Sequence, residues 1–224
     1  MNRIVTMVLL LVGLTTVARA QGQPPYRNEV FASPFDEYVS FSLSARYGVA
    51  LPLGGQKTYI DRVSPTNLAL DGEWLFPKHF SIGLKSGYQY NQQRLDRQVV
   101  SYTDGTAVQD VSAVQTRTLT IIPAMASLSY YFAENSAAFR PYIQLAGGAA
   151  YVDYTNYFGG LADQQKGFKG AFAPAVGLKY YGKREQRLGV DIQAQYQQVS
   201  FNYDRLPNSA PSLMLSAGLV YRMY

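Results

Sequence analysis

The sequence contains no cysteine and a single histidine, and only 16% of its residues are charged. Without cysteine the chain can form no disulfide, zinc–thiolate site, iron–sulfur cluster or thiol nucleophile. It also lacks the residue spacing of a calcium loop and of a phosphate-binding glycine loop. We therefore expect no cofactor, no metal site and no catalytic residues of these kinds.

Two other patterns are missing. No run of Lys and Arg is interleaved with aromatic residues, so nucleic-acid binding is not expected. No apolar stretch beyond residue 20 is long enough for a transmembrane helix. The 224 residues instead include 19 Tyr, 11 Phe and 19 Gly, a composition rich in strand formers and poor in solubilising charge. This composition favours an all-β protein.

The first twenty residues have the pattern of a secretory signal. Asn2-Arg3 gives a positive start, Ile4 to Val17 is mostly apolar, and Ala18-Arg19-Ala20 supplies the small residues for cleavage after Ala20. An uncleaved membrane anchor is the alternative, but the apolar run is shorter than the roughly 20 residues that span a bilayer. We expect export, with residues 1–20 as signal peptide, 21–36 as an extended periplasmic leader and 37–224 as one barrel.

From Glu37 onward, apolar residues alternate with small or polar ones. In the first segment, Glu37 to Val49, Phe41 and Leu43 share one strand face, and Ser42 and Ser44 share the other. Further segments of strand composition are 67–76, 80–90, 117–132, 141–153, 172–180, 188–196 and 212–223. Segments 117–132 and 141–153 are apolar on both faces, so their inward face stays open. Eight strands of this length predict an antiparallel transmembrane β-barrel.

The connections between these segments alternate between short and long. Short turns at 77–79, 133–140 and 182–187 would lie in the periplasm with both termini, and the longer connections 50–66, 91–116, 155–168 and 202–211 outside the cell. In the second long connection Asp104-Gly105 is a hairpin signal, so we expect the tip of a protruding hairpin there. Pro123 and Pro174 lie inside predicted strands, where each should cause a bulge or a local break.

A secreted soluble barrel of lipocalin type is the competing fold, with the apolar face turned inward around a ligand. The opposite face is mainly Ser, Gly, Ala and Gln, which suits a narrow interior better than a surface in water. Tyrosines near the ends of the apolar stripes would form an aromatic girdle at the lipid headgroups: Tyr47, Tyr88, Tyr90, Tyr180, Tyr196 and Tyr221. These features favour the membrane barrel.

Strand parity places charges of both signs inside the barrel: Arg46, Asp71, Glu73, Lys85, Lys179, Asp191 and Arg222. Eight strands leave an interior barely wide enough for side chains, and unpaired charges there would be costly. We therefore predict a plugged lumen in which salt bridges link the bases to Asp71, Glu73 and Asp191. Parity does not tell which pairs form. A structural network is the preferred interpretation, and an ion pathway is the alternative.

Several motifs resemble one family. Thr120-Ile121-Ile122-Pro123 before Tyr130-Tyr131-Phe132, then Arg140-Pro141-Tyr142 with Gly147-Gly148, and the ending Gly218 to Met223, resemble the outer-membrane protein β-barrel domain of Bacteroidetes, a porin-like relative of the OmpA/OmpX-type barrels. The resemblance covers about Glu37 to Tyr224. It implies an outer-membrane location, contact with lipids and recognition by the barrel-insertion machinery, but no shared activity. The family usually ends in Tyr-Arg-Phe, whereas Met223 and Tyr224 stand here.

His79 is the only histidine that a catalytic constellation could use. The lipid A deacylases and palmitoyl transferases that resemble this chain in size place a histidine with serine and an acid near the outer leaflet. His79 falls in a predicted periplasmic turn, where a solvated or interfacial role is expected. We therefore expect a non-enzymatic barrel that contacts an extracellular ligand or an envelope complex. A narrow small-solute pore is the alternative, and a lipid-modifying enzyme is a third.

Overall fold

The computed structural model describes residues 40–76, 79–104, 107–134, 137–159, 161–182, 186–201, 203 and 209–223. The predicted signal peptide and leader lie outside the described residues. The elements are β1 (Ser40–Pro52), α1 (Gly54–Tyr59), β2 (Ser64–Leu75), β3 (Phe80–Asp104), β4 (Ala107–Tyr131), β5 (Phe139–Phe158), β6 (Leu161–Tyr180), β7 (Leu188–Val199) and β8 (Ala210–Met223). Among the described residues, no helix is long and apolar enough to cross a membrane.

The strands close into an antiparallel barrel in chain order, and β1 completes the ring by pairing with β8. Following paired residues once around the wall from Ser40, through Ser129 and Gln195, leads back to β1 at Ala50, ten residues farther along. An eight-stranded barrel with this shear has strands tilted by about 40–45° and an interior that side chains can fill.

The predicted eight-stranded antiparallel barrel is confirmed. We call the end with the connections 76–79, 132–138 and 181–187 the turn end and the opposite end the loop end. The predicted long connections at the loop end are found only at 53–63 and 200–209, because β3 and β4 run on to Asp104 and Ala107, and β5 and β6 to Phe158 and Leu161. The prediction that 155–168 is a loop is wrong, because β5 and β6 stay paired out to Phe158 and Leu161. Strand pairing provides hydrogen-bond partners for the backbone N–H and C=O groups whether or not one face of the strand is apolar. The ladder therefore continues beyond the point where apolar and polar residues stop alternating.

Pro123 and Pro174 each interrupt one ladder without a bulge. On the β3 side of β4, pairing stops at Ala124 and resumes at Ile121 in the same register, while Pro123 still pairs with Ala150 of β5. Pro174 likewise pairs with Leu145 of β5, and the β6–β7 ladder skips it without a register shift. The missing N–H therefore weakens pairing on one side only, which corresponds to the predicted local break.

The outer wall is covered by exposed apolar side chains, whereas charged and amide side chains are buried inside. This arrangement excludes the soluble lipocalin alternative, because that fold would enclose its apolar face. The exposed aliphatic residues of the wall include Leu43, Leu70, Ile82, Leu84, Leu128, Ile143, Leu145, Val176, Ile192, Leu215 and Leu219. Trp74, Phe80, Phe139, Tyr180 and Tyr221 add exposed aromatic rings near the turn end, as expected for a girdle at a bilayer interface.

Candidate functional site

Charged side chains converge in the half of the lumen nearer the turn end. Alternation along each strand aims Arg46, Asp71, Glu73 and Lys85 inward from β1, β2 and β3, and Lys179 and Asp191 inward from β6 and β7. All six are almost completely buried. Three bases thus face three acids, so the formal charges of this set cancel.

Arg46 joins two carboxylates from different strands. Its Nη2 pairs with Asp71 Oδ2 on the neighbouring β2, and its Nη1 pairs with Asp191 Oδ2 on β7. Lys85 Nζ lies 3.9 Å from Asp71 Oδ1. A guanidinium suits this position because its planar fork can serve two acceptors at once.

Glu73 and Lys179 form the second ion pair, with 2.5 Å between Oε2 and Nζ. Tyr131 donates to the same carboxylate oxygen at 2.6 Å, and Ser129 donates to Oε1 at 3.1 Å. Lys179 Nζ also donates to the Tyr131 hydroxyl at 2.9 Å. Since β2 and β6 are four strands apart in a ring of eight, this pair crosses the full width of the lumen.

Amide side chains connect the two ion-pair groups. Lys85 Nζ donates to Gln144 Oε1 at 3.0 Å and to Gln193 Oε1 at 2.9 Å, and Gln144 Nε2 donates to Glu73 Oε1 at 3.2 Å. Lys85 and Gln193 also lie on opposite walls, β3 and β7. The six charges therefore belong to one hydrogen-bonded layer across the lumen, which we call the charge layer.

Sequence reasoning missed several members of the charge layer. Tyr131 comes from β4 and Gln144 from β5, the two strands whose inward face could not be chosen. Tyr142, also on β5, donates to Asp191 Oδ1 at 2.9 Å. The polar side chains of Ser127, Ser129 and Gln144 share the parity of these residues and would have indicated the inward face. Gly177 makes room for Tyr142, because a Cβ on Gly177 would lie 2.5 Å from the Tyr142 hydroxyl.

Arg222, the seventh predicted interior charge, is buried closer to the turn end. Its guanidinium stacks 3.5 Å from the centroid of the Tyr181 ring and donates to the Gln186 carbonyl at 2.9 Å. Arg140 lies near the same end, 4.1 Å from the centroid of the Tyr131 ring. Cationic groups over aromatic faces extend the filled part of the lumen toward the short turns.

Toward the loop end an apolar cluster lies beside buried amides such as Gln89, Asn91, Gln195 and Gln197, which corrects the expectation of small polar residues throughout. The buried cluster consists of Tyr59, Ile60, Leu119, Ile121, Met125, Ala146, Ala150, Val152, Tyr154, Ala171, Ala173, Val199, Phe201 and Ala210. Its strand members come mainly from β4 and β5, where parity could not be read, and from the small side chains of β6. We call this cluster the apolar layer.

The connection after β1 forms the lid of the apolar layer. Tyr59, at the end of α1, is fully buried, stacks on Tyr154 with ring centroids 4.3 Å apart, and donates to the Thr155 carbonyl at 2.9 Å. Arg117 donates to the Tyr59 carbonyl at 2.9 Å. Burial raises the pKa of the Tyr59 hydroxyl, so this group stays protonated and can donate. α1 has only six residues, too few for a helical period to show in the sequence.

The β3–β4 hairpin extends beyond every other strand. β5 pairs with β4 only as far as Gln115, whereas β3 and β4 stay paired from Arg97↔Val114 to Asp104↔Ala107. We call this part, residues 97–104 and 107–114, the external ribbon. Asp104 ends β3, and the two residues that join the strands follow it. Gly105, the other predicted tip residue, lies outside the described residues.

His79 lies in the short β2–β3 turn. Its Nδ1 is 2.9 Å from the Tyr131 carbonyl, and its ring centroid is 5.7 Å from that of Tyr130. This places the ring at the turn end, where it contacts the backbone and the aromatic girdle. Within the described part of the chain, no three His, Cys, Asp or Glu side chains are grouped to hold a metal ion.

No protein-family model and no curated protein matches the chain. Among solved structures, Neisserial surface protein A is 13% identical over 82% of this chain and 96% of its own, with a TM-score of 0.51. The chain has the fold of a small outer-membrane barrel. The OmpA/OmpX-type resemblance is thus confirmed for the fold, and identity this low says nothing of activity.

Two other structures match this barrel with lower TM-scores. The N-terminal β-barrel domain of OprF from Pseudomonas aeruginosa is 14% identical, over 82% of this chain and 97% of its own, with a TM-score of 0.44. The outer-membrane protease OmpT from Escherichia coli is 10% identical, over 83% of this chain and 95% of its own, with a TM-score of 0.43.

Proposed function

We propose that this protein is a non-enzymatic outer-membrane barrel that acts by contact, presenting the external ribbon to a partner outside the cell while its lumen stays closed. The apolar wall is solvated by outer-membrane lipids. The turn end faces the periplasm, and the loop end faces outward. Export through the signal peptide and assembly by the barrel-insertion machinery precede this arrangement.

The observation that carries the proposal is contact between opposite walls. Glu73 on β2 meets Lys179 on β6, and Lys85 on β3 meets Gln193 on β7. Side chains that touch across the full diameter leave no bore for a hydrated solute at that depth. Nearer the loop end the apolar layer, which includes Tyr59, occupies the lumen together with buried amides such as Gln89 and Gln195. These two consecutive layers of buried side chains support an interaction role over that of a small-solute pore.

The absence of catalysis is part of the proposal. His79 is the only histidine, and it lies at the turn end, far from the outer leaflet where a lipid-modifying enzyme would meet its substrate. The acids of the charge layer are engaged with bases and hydroxyl groups. The partner is either an extracellular ligand or a larger envelope complex, and the length of the external ribbon favours an extracellular ligand.

Two measurements test the proposal. Fractionation of cells should recover the natively expressed protein in the outer membrane as a barrel whose gel mobility changes on heating. Purified protein in planar bilayers should give no steady conductance, and Glu73→Gln should lower thermal stability without opening a channel. A reproducible channel whose ion selectivity changes with Glu73→Gln or Lys85→Met would overturn the closed lumen and establish the pore alternative.

A further inference from the structure

The apolar outer wall ends at a boundary of mostly aromatic residues on the loop-end side. On β3 the outward side chains run from Phe80 to Tyr90, and ten residues of about 3.3 Å each, tilted by about 40–45°, span about 24 Å along the barrel axis. This height matches the apolar band of about 25 Å that outer-membrane barrels present to lipid. On β4 to β6, Ile122, Tyr151 and Phe168 mark the boundary and are paired neighbours. Outward residues beyond it lie at the level of the lipid headgroups.

Beyond this boundary the outward side chains of β3 to β6 are mainly polar. Residues paired across the strands form three successive rows: Tyr90, Thr120, Asp153 and Lys166, then Gln92, Thr118, Thr155 and Gln164, then Arg94, Thr116 and Tyr157. The bulge between Leu95 and Arg97 keeps Arg97 on the same face, opposite Val114. We call the residues of the three rows, together with Arg97, the polar band. Alternation places the polar band on the lipid-facing side of the wall and not in the lumen.

The two halves of the polar band differ in their hydrogen bonding. On β5 and β6, Asp153 Oδ2 lies 3.1 Å from Lys166 Nζ, and Gln164 Nε2 donates to Asp153 Oδ1 at 3.1 Å. On β3, Arg94 and Arg97 are both exposed, and within the part of the chain that the structure describes neither guanidinium has an ion-pair or hydrogen-bond partner. The open donors of the polar band are therefore concentrated on β3.

A third arginine lies beside the same stretch of β3. The Asp61 N–H donates to Gln93 Oε1 at 2.8 Å, so the exposed Arg62 follows directly after this contact and lies near Arg94. The Asp61 carboxylate is engaged by Lys57 Nζ at 3.5 Å. The connection after β1 therefore adds a positive charge to this side of the barrel.

Acidic residues offset this positive charge only in part. Asp96, the residue inserted by the bulge, is exposed between Arg94 and Arg97. Asp104 and Asp110 lie toward the tip of the external ribbon, four or more residue pairs beyond Arg97. Three arginines thus stand against one aspartate at the level of the lipid headgroups, and this side of the barrel favours an anionic group.

We propose that Arg94 and Arg97 bind a phosphate group on the sugar headgroup of a glycolipid in the outer leaflet. The inference rests on the proposed function, because it requires the loop end to face outward. Position determines the occupant: the polar band continues a wall that is covered by acyl chains, so the headgroups of those same lipids contact it. Arg94 lies about 10 Å beyond Tyr90 along the barrel axis, and its long side chain can reach back toward the lipid surface. The planar guanidinium fork matches two phosphate oxygens.

Hydroxyl and amide groups beside the arginines favour a sugar headgroup over that of a plain phospholipid. Thr116 is the pair of Arg94 on β4, and Gln92 precedes Arg94 on the same face. Threonine hydroxyls and glutamine amides both donate and accept hydrogen bonds, which is what sugar hydroxyls require of their partners. Tyr157, paired with Thr116 and exposed, adds a phenol to the same row.

The test uses the full-length barrel in micelles of a non-ionic detergent, with lipid A that carries two phosphates as the probe and native mass spectrometry to count bound lipid. We expect saturable binding at least tenfold tighter than that of the same lipid A with both phosphates removed. Binding should also be at least fivefold tighter than that of phosphatidylglycerol, which has a phosphate but no sugar. Equal binding of the dephosphorylated lipid would overturn phosphate recognition, and equal binding of phosphatidylglycerol would overturn the glycolipid as occupant.

A matched pair of arginine variants locates the site. Arg94→Gln should weaken lipid A binding about fivefold, whereas Arg187→Gln, which removes the same charge from an exposed residue at the turn end, should weaken it less than twofold. Arg94→Lys keeps the charge without the planar fork and should fall between the wild type and Arg94→Gln. The double variant Arg94→Gln, Arg97→Gln should lose most of the preference for the phosphorylated lipid. Heat-dependent gel mobility verifies that each variant is folded. Equal losses in Arg94→Gln and Arg187→Gln contradict a site on β3.

Other outcomes separate this inference from the proposed function. If lipid A fails to bind while planar bilayers stay non-conducting and the protein fractionates with the outer membrane, the glycolipid site alone is wrong. A conducting channel with selective lipid A binding would overturn the closed lumen alone. Dimers that persist without lipid and dissociate in Arg94→Gln would make a second copy the occupant and overturn the glycolipid site.

Discussion

Glu73 and Lys179 meet across the diameter of the barrel, with the carboxylate Oε2 2.5 Å from Nζ, although 105 residues separate them in the chain. Neither group is exposed to water, and both share the Tyr131 hydroxyl as a further partner. This ion pair links β2 to β6, two strands that are not paired with each other in the sheet. The charge layer therefore acts as a cross-brace in a fold whose strand ladders join only neighbouring strands.

Removing one member of this pair should destabilise the barrel. Glu73→Gln leaves the buried Lys179 ammonium without its counter-charge, and breaking a buried pair in this way typically costs about 3–5 kcal/mol. The temperature at which gel mobility changes should fall clearly. The double variant Glu73→Gln, Lys179→Met should recover part of the loss, while Asp61→Asn, in the exposed pair with Lys57, should change nothing measurable. A double variant less stable than Glu73→Gln contradicts the cross-brace.

A substitution at Gly177 tests how the wall accommodates Tyr142. Gly177→Ala places a Cβ 2.5 Å from the Tyr142 hydroxyl, so the ring must move away from Asp191, at a cost of about 1–3 kcal/mol typical of overpacking. Gly147→Ala is the matched control, since a Cβ there meets no atom within 4 Å. Chemical unfolding in vesicles measures the free energy of unfolding of both variants. Equal stability of the two variants would show that Tyr142 does not depend on this space.

Tyr59 should hold α1 against the barrel mouth. Tyr59→Phe removes the hydrogen bond to the Thr155 carbonyl and should cost about 1 kcal/mol, whereas Tyr59→Ala also empties the stack on Tyr154 and should cost about 3–5 kcal/mol. Limited proteolysis of residues 53–63 in the folded barrel reports the release of the lid. Cleavage that is equally slow in both variants would mean that other contacts hold α1.

Alkaline pH should release the same lid. Burial raises the pKa of Tyr59 in the folded barrel, and a tyrosine in an unfolded segment titrates near 10. The stabilisation from the neutral hydroxyl is therefore complete below about pH 10 and declines as pH rises above it. Proteolysis of 53–63 should accelerate between pH 9 and pH 11, and Tyr59→Phe should reduce this acceleration. An identical pH profile for the variant contradicts the assignment to Tyr59.

The external ribbon should be reachable from outside intact cells. An epitope tag inserted between Asp104 and Gly105 should bind antibody without permeabilisation, because this connection lies at the loop end. A tag between Ala133 and Glu134, in a short turn at the opposite end, should be detected only after the outer membrane is opened. The reverse pattern of labelling would mean that the barrel is inserted the other way round.

Alternation alone determined which residues of most strands face inward. A period of two is a local property, so Arg46, Glu73 and Lys179 could each be assigned to the lumen without knowing any neighbour, and eight such segments suffice to predict closure. On β4 and β5 the same method failed, because Leu119, Ile121 and Val152 are as apolar as the lipid-facing side chains. Tyr131 and Gln144 remained unassigned for the same reason.

Only the tertiary structure decided which charges meet. The partner of Glu73 depends on the shear of the closed wall, which sets the height of every strand relative to the strand opposite it, and no local pattern encodes that offset. The same holds for Tyr59, whose burial requires β4 and β5 to extend past the barrel rim. It also holds for residues 155–158 and 161–168, which remain in strands because the neighbouring strand satisfies their backbone N–H and C=O groups. On the strands that alternate, the sequence determines which face each residue occupies, and closure of the barrel determines its partners.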